Sequence, residues 1–242
     1  MPVKTNRHVP RGIEILHDDR DLYVISKQAG VLTTGTGRSG QFTAEQAMND
    51  YIRKGNAKVP KQVYLVHRID RETSGLLIFA KSAQAQSRLQ QDWARTEKYY
   101  LAVVEGRLKE PRGMLSSYLA ESPTFRVYSV RDPAAGRLAR TAYAVMATAP
   151  RFSLVKIRLL TGRKHQIRVH FADLGHPVYG DDRYGPPHST ARRLYLHAKT
   201  IAFNHPHDNR RLTFDTPIPK LFADLFPGLD ANAWAIAKPP EE

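Results

Sequence analysis

The chain has 242 residues, with 37 Lys and Arg against 23 Asp and Glu and a formal net charge of +14. This excess favours a polyanionic partner, such as nucleic acid, an anionic membrane or an acidic protein. A hydrophobic content of 41% is too high for a disordered basic tail, and no apolar run approaches the roughly 18 residues of a membrane-spanning helix. The lack of cysteine excludes disulfides, cysteine-ligated metals and a thiol nucleophile. We therefore expect a soluble, cytoplasmic protein.

Residues 1–12 are predicted to form a flexible basic arm, and 13–242 a single domain folded in two lobes. Apolar runs and alternating patterns predict strands at 22–25, 63–66, 76–80, 99–104, 141–145 and 154–160. Helices are expected over Thr43–Arg53, with Thr43 and Gln46 in a capping box, after Ser82, and between Arg163 and Gly175. Because the helices do not alternate regularly with the strands, the predicted fold class is α+β.

Basic residues are concentrated in two stretches without acids. Residues 51–69 contain five basic residues and 133–172 contain eight. Clustering of one sign within periodic, apolar-containing sequence favours a positive face that binds a polyanion over an ordinary solvated surface.

Two apparent motifs are weak evidence for a cofactor or metal site. Gly35–Gly40 matches the spacing G-x-G-x-x-G, but the acid that contacts the ribose in dinucleotide-binding folds is missing downstream, so a glycine-rich loop is favoured. The pairs His165/His170 and His205/His207 lack an acid placed to complete a catalytic zinc set, so no metal site is predicted.

Three segments are candidates for a functional site. The polar loop His67–Gly75 lies between two predicted strands, with Asp70 between Arg68 and Arg71, and is either a catalytic loop or an ion-paired turn. In Lys98–Ala102, the adjacent tyrosines 99 and 100 point to opposite faces of a strand. In the third segment, 161–168, the side chains of Lys164, His165 and Arg168 are expected on one face near a helix start, which favours phosphate contact.

Together these segments strongly resemble the RluA-type pseudouridine synthase family. The loop His67–Leu77 resembles the signature His-Arg-Leu-Asp-x-x-Thr-Ser-Gly, and Lys98–Ala102 resembles Lys-x-Tyr-x-Ala. Residues 161–170, 174–177 and 180–181 resemble the block Thr-Gly-Arg-x-His-Gln-Ile-Arg-x-His, Leu-Gly-His-Pro and Gly-Asp, and Leu196–Ala198 resembles Leu-His-Ala. One departure is Ser26–Gly30, which reads Ser-Lys-Gln-Ala-Gly where the family has Asn-Lys-Pro-Ala-Gly.

The resemblance implies a mixed, mainly antiparallel central sheet in two lobes, flanked by helices and loops, with a catalytic cleft. Some members of the family carry a separate N-terminal RNA-binding module, and none is expected here because the resemblance begins close to Met1. The resemblance also implies an enzyme that isomerises uridine to pseudouridine in ribosomal or transfer RNA without a cofactor or metal. Base flipping is expected because a stacked uridine is not reachable, and a monomer is expected because one cleft can bind RNA. A non-catalytic RNA-binding protein using the same basic cleft is the alternative from another class.

The same resemblance assigns roles to individual residues. Asp70 is expected to be the catalytic carboxylate, Tyr100 to contact the target base and act in proton transfer, and Arg168 to pair with Asp70. Arg68 is expected to help displace the base. The full set of expected substrate contacts is His67, Arg68, Arg71, Thr73, Arg163, Lys164, His165, Gln166 and Leu196.

Overall fold

A computed structural model describes residues 12–35, 40–54, 56, 58–187, 190–230 and 232–240. The predicted arm lies outside these ranges except for Gly12, as do residues 36–39 of the glycine-rich loop. The described strands are β1 (Ile13–Asp18), β2 (Leu22–Lys27), β3 (Tyr64–Leu65), β4 (Ser74–Ala80), β5 (Glu97–Glu105), β6 (Arg112–Glu121), β7 (Val127–Val130), β8 (Arg137–Thr148), β9 (Phe152–Leu159), β10 (Leu196–Asn204) and β11 (Arg211–Asp215). The α-helices are α1 (Ala44–Ile52), α2 (Ala83–Gln91), α3 (Gln166–Asp173), α4 (Lys220–Ala223) and α5 (Ala233–Ile236).

The described residues form two units. The first contains the chain up to Thr96 together with Ala202–Thr216, and the second contains Glu97–Ile201 together with the chain from Pro217 onward. Both contain antiparallel strands and few helices, which confirms the predicted α+β class and its mainly antiparallel pairing.

In the first unit, β2 pairs antiparallel with β1 and with β4, and β3 pairs with β4. Every residue of β4 is buried, as its continuous apolar sequence predicts. The predicted helix caps are confirmed, because the side chains of Thr43 and Ser82 accept hydrogen bonds from the backbone N–H groups of Gln46 and Ala85. Helix α1 packs on the sheet through Ala44, Ala47 and Met48.

In the second unit, antiparallel pairing runs β5–β9–β8–β6–β7. The residues of β5 alternate between two apolar clusters. Ala102 and Val104 pack in the cluster that contains Ile167 and Phe171 of α3, while Leu101 and Val103 pack with Phe222 of α4 and the C-terminal segment. Helices therefore cover both faces of this sheet.

Within the described residues, no helix is both long enough and apolar enough to span a bilayer.

Candidate active site

Asp70 lies in the first unit, in the turn between β3 and β4. The turn closes where the N–H of Thr73 donates to the carbonyl of Asp70 at 3.1 Å. Before it, the buried Ile69 is held because Thr33 Oγ1 donates to its carbonyl at 2.7 Å. After it, the N–H of Gly30 donates to the carbonyl of Arg71 at 2.9 Å. The partly exposed carboxylate of Asp70 is therefore carried by a backbone that hydrogen bonds fix both before and after this residue.

A buried lysine stabilises this turn through hydrogen bonds to backbone carbonyls. The residue Lys27 is only 1% exposed, although lysine is rarely fully buried. Its Nζ donates to the carbonyls of Val31 at 2.7 Å and Thr73 at 2.8 Å, and to those of Gln28 and Arg71 at 3.1 Å. One ammonium therefore joins the segment after β2 to the segment that carries Asp70.

The sequence pattern did not assign this role to Lys27. A sequence feature that could have pointed to Lys27 is its place in Ser26–Gly30, the segment in which Gln28 replaces the family's proline. The departure leaves the local turn intact, since Gly30 has a φ of 88°, a left-handed conformation that glycine adopts without strain.

The other expected substrate residues of this loop differ in exposure. Arg68 and Arg71 are exposed, and Arg71 Nε donates to the carbonyl of Gly30 at 3.1 Å. Thr73 is buried, so direct contact with RNA is not expected of it. His67 accepts a hydrogen bond at Nε2 from the N–H of Ile78 at 3.2 Å and lies against the Trp93 ring, 4.8 Å between centroids. The contacts of His67 and Thr73 are those of residues that shape the loop.

Tyr100 lies on β5 in the second unit. As predicted, the two tyrosines face opposite sides of the sheet, because Tyr100 packs against the cluster that includes Leu196 while Tyr99 meets the Trp234 ring edge-on at 6.5 Å. Leu196 and α3 thus share a sheet face with Tyr100. At the start of the same strand, burial lowers the pKa of Lys98.

Arg168 forms a buried ion pair that the sequence pattern did not assign. Its Nε and Nη2 donate to the two carboxylate oxygens of Asp181 at 2.7 and 2.8 Å, and both side chains are almost fully buried. Asp181 Oδ1 also accepts the N–H groups of Arg183 and Tyr184 at 3.0 Å. Asp181 of the Gly-Asp motif therefore both aims the guanidinium and shapes the following turn.

The expectation that Lys164, His165 and Arg168 share a helix face is wrong. Helix α3 begins at Gln166, and His165 is its N-cap residue with a left-handed φ of 53°. Because Arg168 is buried against a carboxylate, it is unsuited to direct contact with a phosphate. Leu174, expected on the apolar side of the helix, is its exposed C-cap residue. The pairing of Arg168 with Asp70 would join the two units and stays a prediction.

Gln166 organises the segment before the helix. Its Oε1 accepts from Thr161 Oγ1 at 2.8 Å and from the N–H of Arg163 at 3.0 Å, and its Nε2 donates to the carbonyl of Arg140 at 3.0 Å. Since Gln166 is buried, its side chain positions the loop, whereas the side chains of Arg163 and Lys164 lie at the surface. Lys164 pairs there with Glu121.

Two of the histidines considered as metal ligands, His165 and His170, bond to protein groups. His165 Nδ1 meets the Tyr184 hydroxyl at 2.8 Å, and His170 lies between Ser117 Oγ at 3.0 Å and Thr141 Oγ1 at 2.9 Å. Burial lowers the pKa of His170 to about 4, although Asp173 opposes the shift. In the described ranges no set of three or more histidine or acidic side chains is arranged to hold a metal ion.

Comparison with known proteins identifies the family. Residues 21–173 match the family model described as RNA pseudouridylate synthase. The chain is 36% identical over 214 residues to the dual-specificity RNA pseudouridine synthase RluA of Pasteurella multocida, covering 85% of this chain and 93% of that protein. It is 35% identical over 216 residues to the uncharacterized RNA pseudouridine synthase YhcT of Bacillus subtilis, covering 86% and 69%.

A solved structure has the same fold. Human RNA pseudouridylate synthase domain containing 1 superposes with a TM-score of 0.70 at 26% identity, covering 94% of this chain and 89% of that chain. The chain therefore belongs to the RluA-type family of RNA pseudouridine synthases, isomerases that convert uridine in RNA to pseudouridine.

Proposed function

We propose that Asp70 is the catalytic carboxylate of this synthase, that Tyr100 contacts the target base, and that Arg168 holds Asp70 ionised and aimed. The observation that carries the proposal is the fixation of the Asp70 turn by Lys27, Thr33 and Gly30. A nucleophile must be held close to its productive position, since an error of about 1 Å can reduce a rate by about 100-fold. A carboxylate needs no activation beyond deprotonation.

The reaction moves one bond and leaves the composition unchanged. The bond between ribose and the uracil nitrogen breaks, the base turns, and a uracil carbon bonds to the same ribose carbon. That uracil carbon loses a proton and the released nitrogen gains one. Asp70 attacks either the base or the anomeric carbon, and Tyr100 takes part in the proton transfer.

The target uridine must leave its stack before it reaches Asp70, at a cost of a few kcal/mol. Exposed cations that contact the phosphates on either side offset this cost. Arg68 is proposed to help displace the base, and Arg71, Arg163 and Lys164 to contact the backbone. The buried Leu196 is proposed to line the base pocket beside Tyr100.

The proposed substrates are ribosomal or transfer RNA, and the name of the Pasteurella multocida relative, which includes dual specificity, supports more than one target. We further propose a cytoplasmic monomer that needs no cofactor, with a catalytic domain over 13–242. One basic surface is sufficient to bind an RNA strand, which supports the monomer.

The experiment compares strains that carry only the wild type, Asp70→Asn, or Glu72→Gln, and maps pseudouridine in total RNA against a strain without the protein. Asp70→Asn is expected to abolish the sites that depend on this protein, while Glu72→Gln, a matched change in the same loop, keeps them. Thermal unfolding checks that both variants fold. Persistence of every site in Asp70→Asn contradicts the catalytic role, and biological function without modification favours the non-catalytic alternative.

A further inference from the structure

The turn between β6 and β7 presents a phenylalanine to solvent. Phe125 is 67% exposed, the largest exposure among the large hydrophobic side chains of the described residues. Its φ is 59°, in the left-handed region where a bulky residue is an outlier. Glycine or asparagine would meet this backbone with less strain. Neither burial nor backbone preference explains a phenylalanine here.

The turn is nevertheless well ordered by hydrogen bonds. The N–H of Phe125 donates to the carbonyl of Ser122 at 2.9 Å, and the N–H of Arg126 donates to Ser122 Oγ at 3.1 Å. Arg183 Nη1 donates to the carbonyl of Phe125 at 3.0 Å. The aromatic ring is therefore held out from a fixed backbone, which lowers the entropic cost of stacking a partner on it.

One cation faces this ring, and two more lie at the backbone of the turn. Lys164 Nζ lies 5.3 Å from the ring centroid, Arg183 binds the backbone of Phe125, and Arg126 follows it in the chain. One acid, Glu121, pairs with Lys164. A base has a flat apolar face and carries a phosphate, so it can stack on the face of Phe125 opposite Lys164 while the cations neutralise its backbone. An apolar protein surface would gain nothing from the cations.

The turn is also joined to the candidate site within the second unit. The N–H of Val127 donates to the Tyr184 hydroxyl at 3.1 Å, and the guanidinium of Arg168 lies 5.2 Å from the Tyr184 ring centroid. Lys164, which faces Phe125, lies two residues before helix α3.

We propose that Phe125 is a stacking platform for an unpaired base of the substrate RNA, outside the position of the target uridine. The inference rests on the proposed function, in which Lys164 contacts the RNA backbone and Arg168 positions Asp70. It adds to that function a specificity contact on the hairpin, because an aromatic platform accepts only a base that is out of its duplex.

The test measures equilibrium binding by fluorescence anisotropy, with labelled oligouridylate of about 12 nucleotides as the probe. Phe125→Ala is expected to raise Kd about tenfold, within the range that base–aromatic stacking gives, while Phe125→Trp restores binding. Ile236→Ala is the matched control, because Ile236 is 66% exposed and lies in the same unit. It is expected to leave Kd unchanged.

Three further measurements separate stacking from charge and from folding. An abasic oligoribonucleotide of the same length is expected to bind wild type and Phe125→Ala equally, and Phe125→Ala to keep the salt dependence, whereas Lys164→Ala reduces its slope by about 0.7. Phe125→Gly is expected to unfold at the same or a higher temperature than wild type while binding oligouridylate as weakly as Phe125→Ala.

Equal Kd values for wild type and Phe125→Ala on oligouridylate overturn the proposal, as does a tenfold loss that also appears on the abasic probe. The proposed function is tested separately, because binding requires no turnover. A protein that stacks oligouridylate on Phe125 but modifies no RNA refutes the catalytic role alone.

Discussion

Replacing Lys27 by methionine removes the ammonium that joins the two segments around the candidate nucleophile. Its Nζ donates to four carbonyls at 2.7 to 3.1 Å. The ammonium has three N–H donors, and hydrogen bonds to a charged group contribute about 1.5–3 kcal/mol each, so their loss totals about 4.5–9 kcal/mol. Relief from burying the charge returns several kcal/mol. We expect a net loss of about 3–5 kcal/mol.

The loss is measured by thermal unfolding. At about 2–4 °C per kcal/mol for a protein of this size, Tm should fall by about 10 °C. Lys220→Met is the control, because Lys220 is exposed and pairs only across one helical turn with Asp224 at 2.7 Å; its expected change is within about 0.5 kcal/mol. At a temperature where Lys27→Met is folded, kcat should still fall, since the Asp70 turn has lost its support. Equal Tm values for Lys27→Met and Lys220→Met refute the reasoning.

Three further predictions concern the second unit. Asp181→Asn replaces the carboxylate that accepts two hydrogen bonds from the buried guanidinium of Arg168 by a neutral amide and should reduce stability by about 3–5 kcal/mol, measured by urea unfolding. The folded pKa of His170, about 4, lies below its ordinary 6.5, so stability should be complete above pH 6.5 and fall by about 3 kcal/mol as the pH drops to 4; His170→Asn should remove this dependence. Gly180→Ala places a Cβ 2.0 Å from the carbonyl oxygen of Arg193 at a φ of 78° and should lower stability by at least about 3 kcal/mol, measured by thermal unfolding.

Each of these three predictions has a control or a measured outcome that can contradict it. Asp182→Asn alters a largely exposed carboxylate and should leave urea unfolding nearly unchanged, so an equal loss in both variants contradicts the role of Asp181. A pH profile of stability that His170→Asn does not alter removes His170 as its origin. In Gly35→Ala, no described atom lies within 4 Å of the added Cβ and Gly35 has no positive φ, so stability should be nearly unchanged. A similarly small loss of stability in Gly180→Ala means that the backbone around Gly180 shifts to accommodate the Cβ.

Local pattern located part of the fold, whereas it predicted no element at β1, β6, β7, β11, α4 or α5. The strands β2, β4, β5, β8 and β9 and the capped helices α1 and α2 lie where apolar periodicity and N-cap residues predict them. The sequence pattern predicts a start for helix α3 that is earlier than the observed start at Gln166. Lys164 and His165 have helix-compatible sequence, but the carbonyl and hydroxyl groups around Gln166 hold the preceding segment in a turn, with His165 left-handed. That competition depends on Arg140 and Thr141 of β8, which no local pattern includes.

The sequence by itself determined the α+β class, the basic character and the three motif segments that define the family, because these depend on residue type and short spacing. The tertiary structure determined which basic side chains lie at the surface and which are buried. Lys27 and Arg168 count equally in the net charge of +14, yet one is enclosed by carbonyls and the other by the carboxylate of Asp181. Burying a charge is favourable only where its partners converge, and those partners come from distant parts of the chain. The excess charge available to RNA is therefore set by the fold, with Lys164 and Arg183 at the hairpin that carries Phe125.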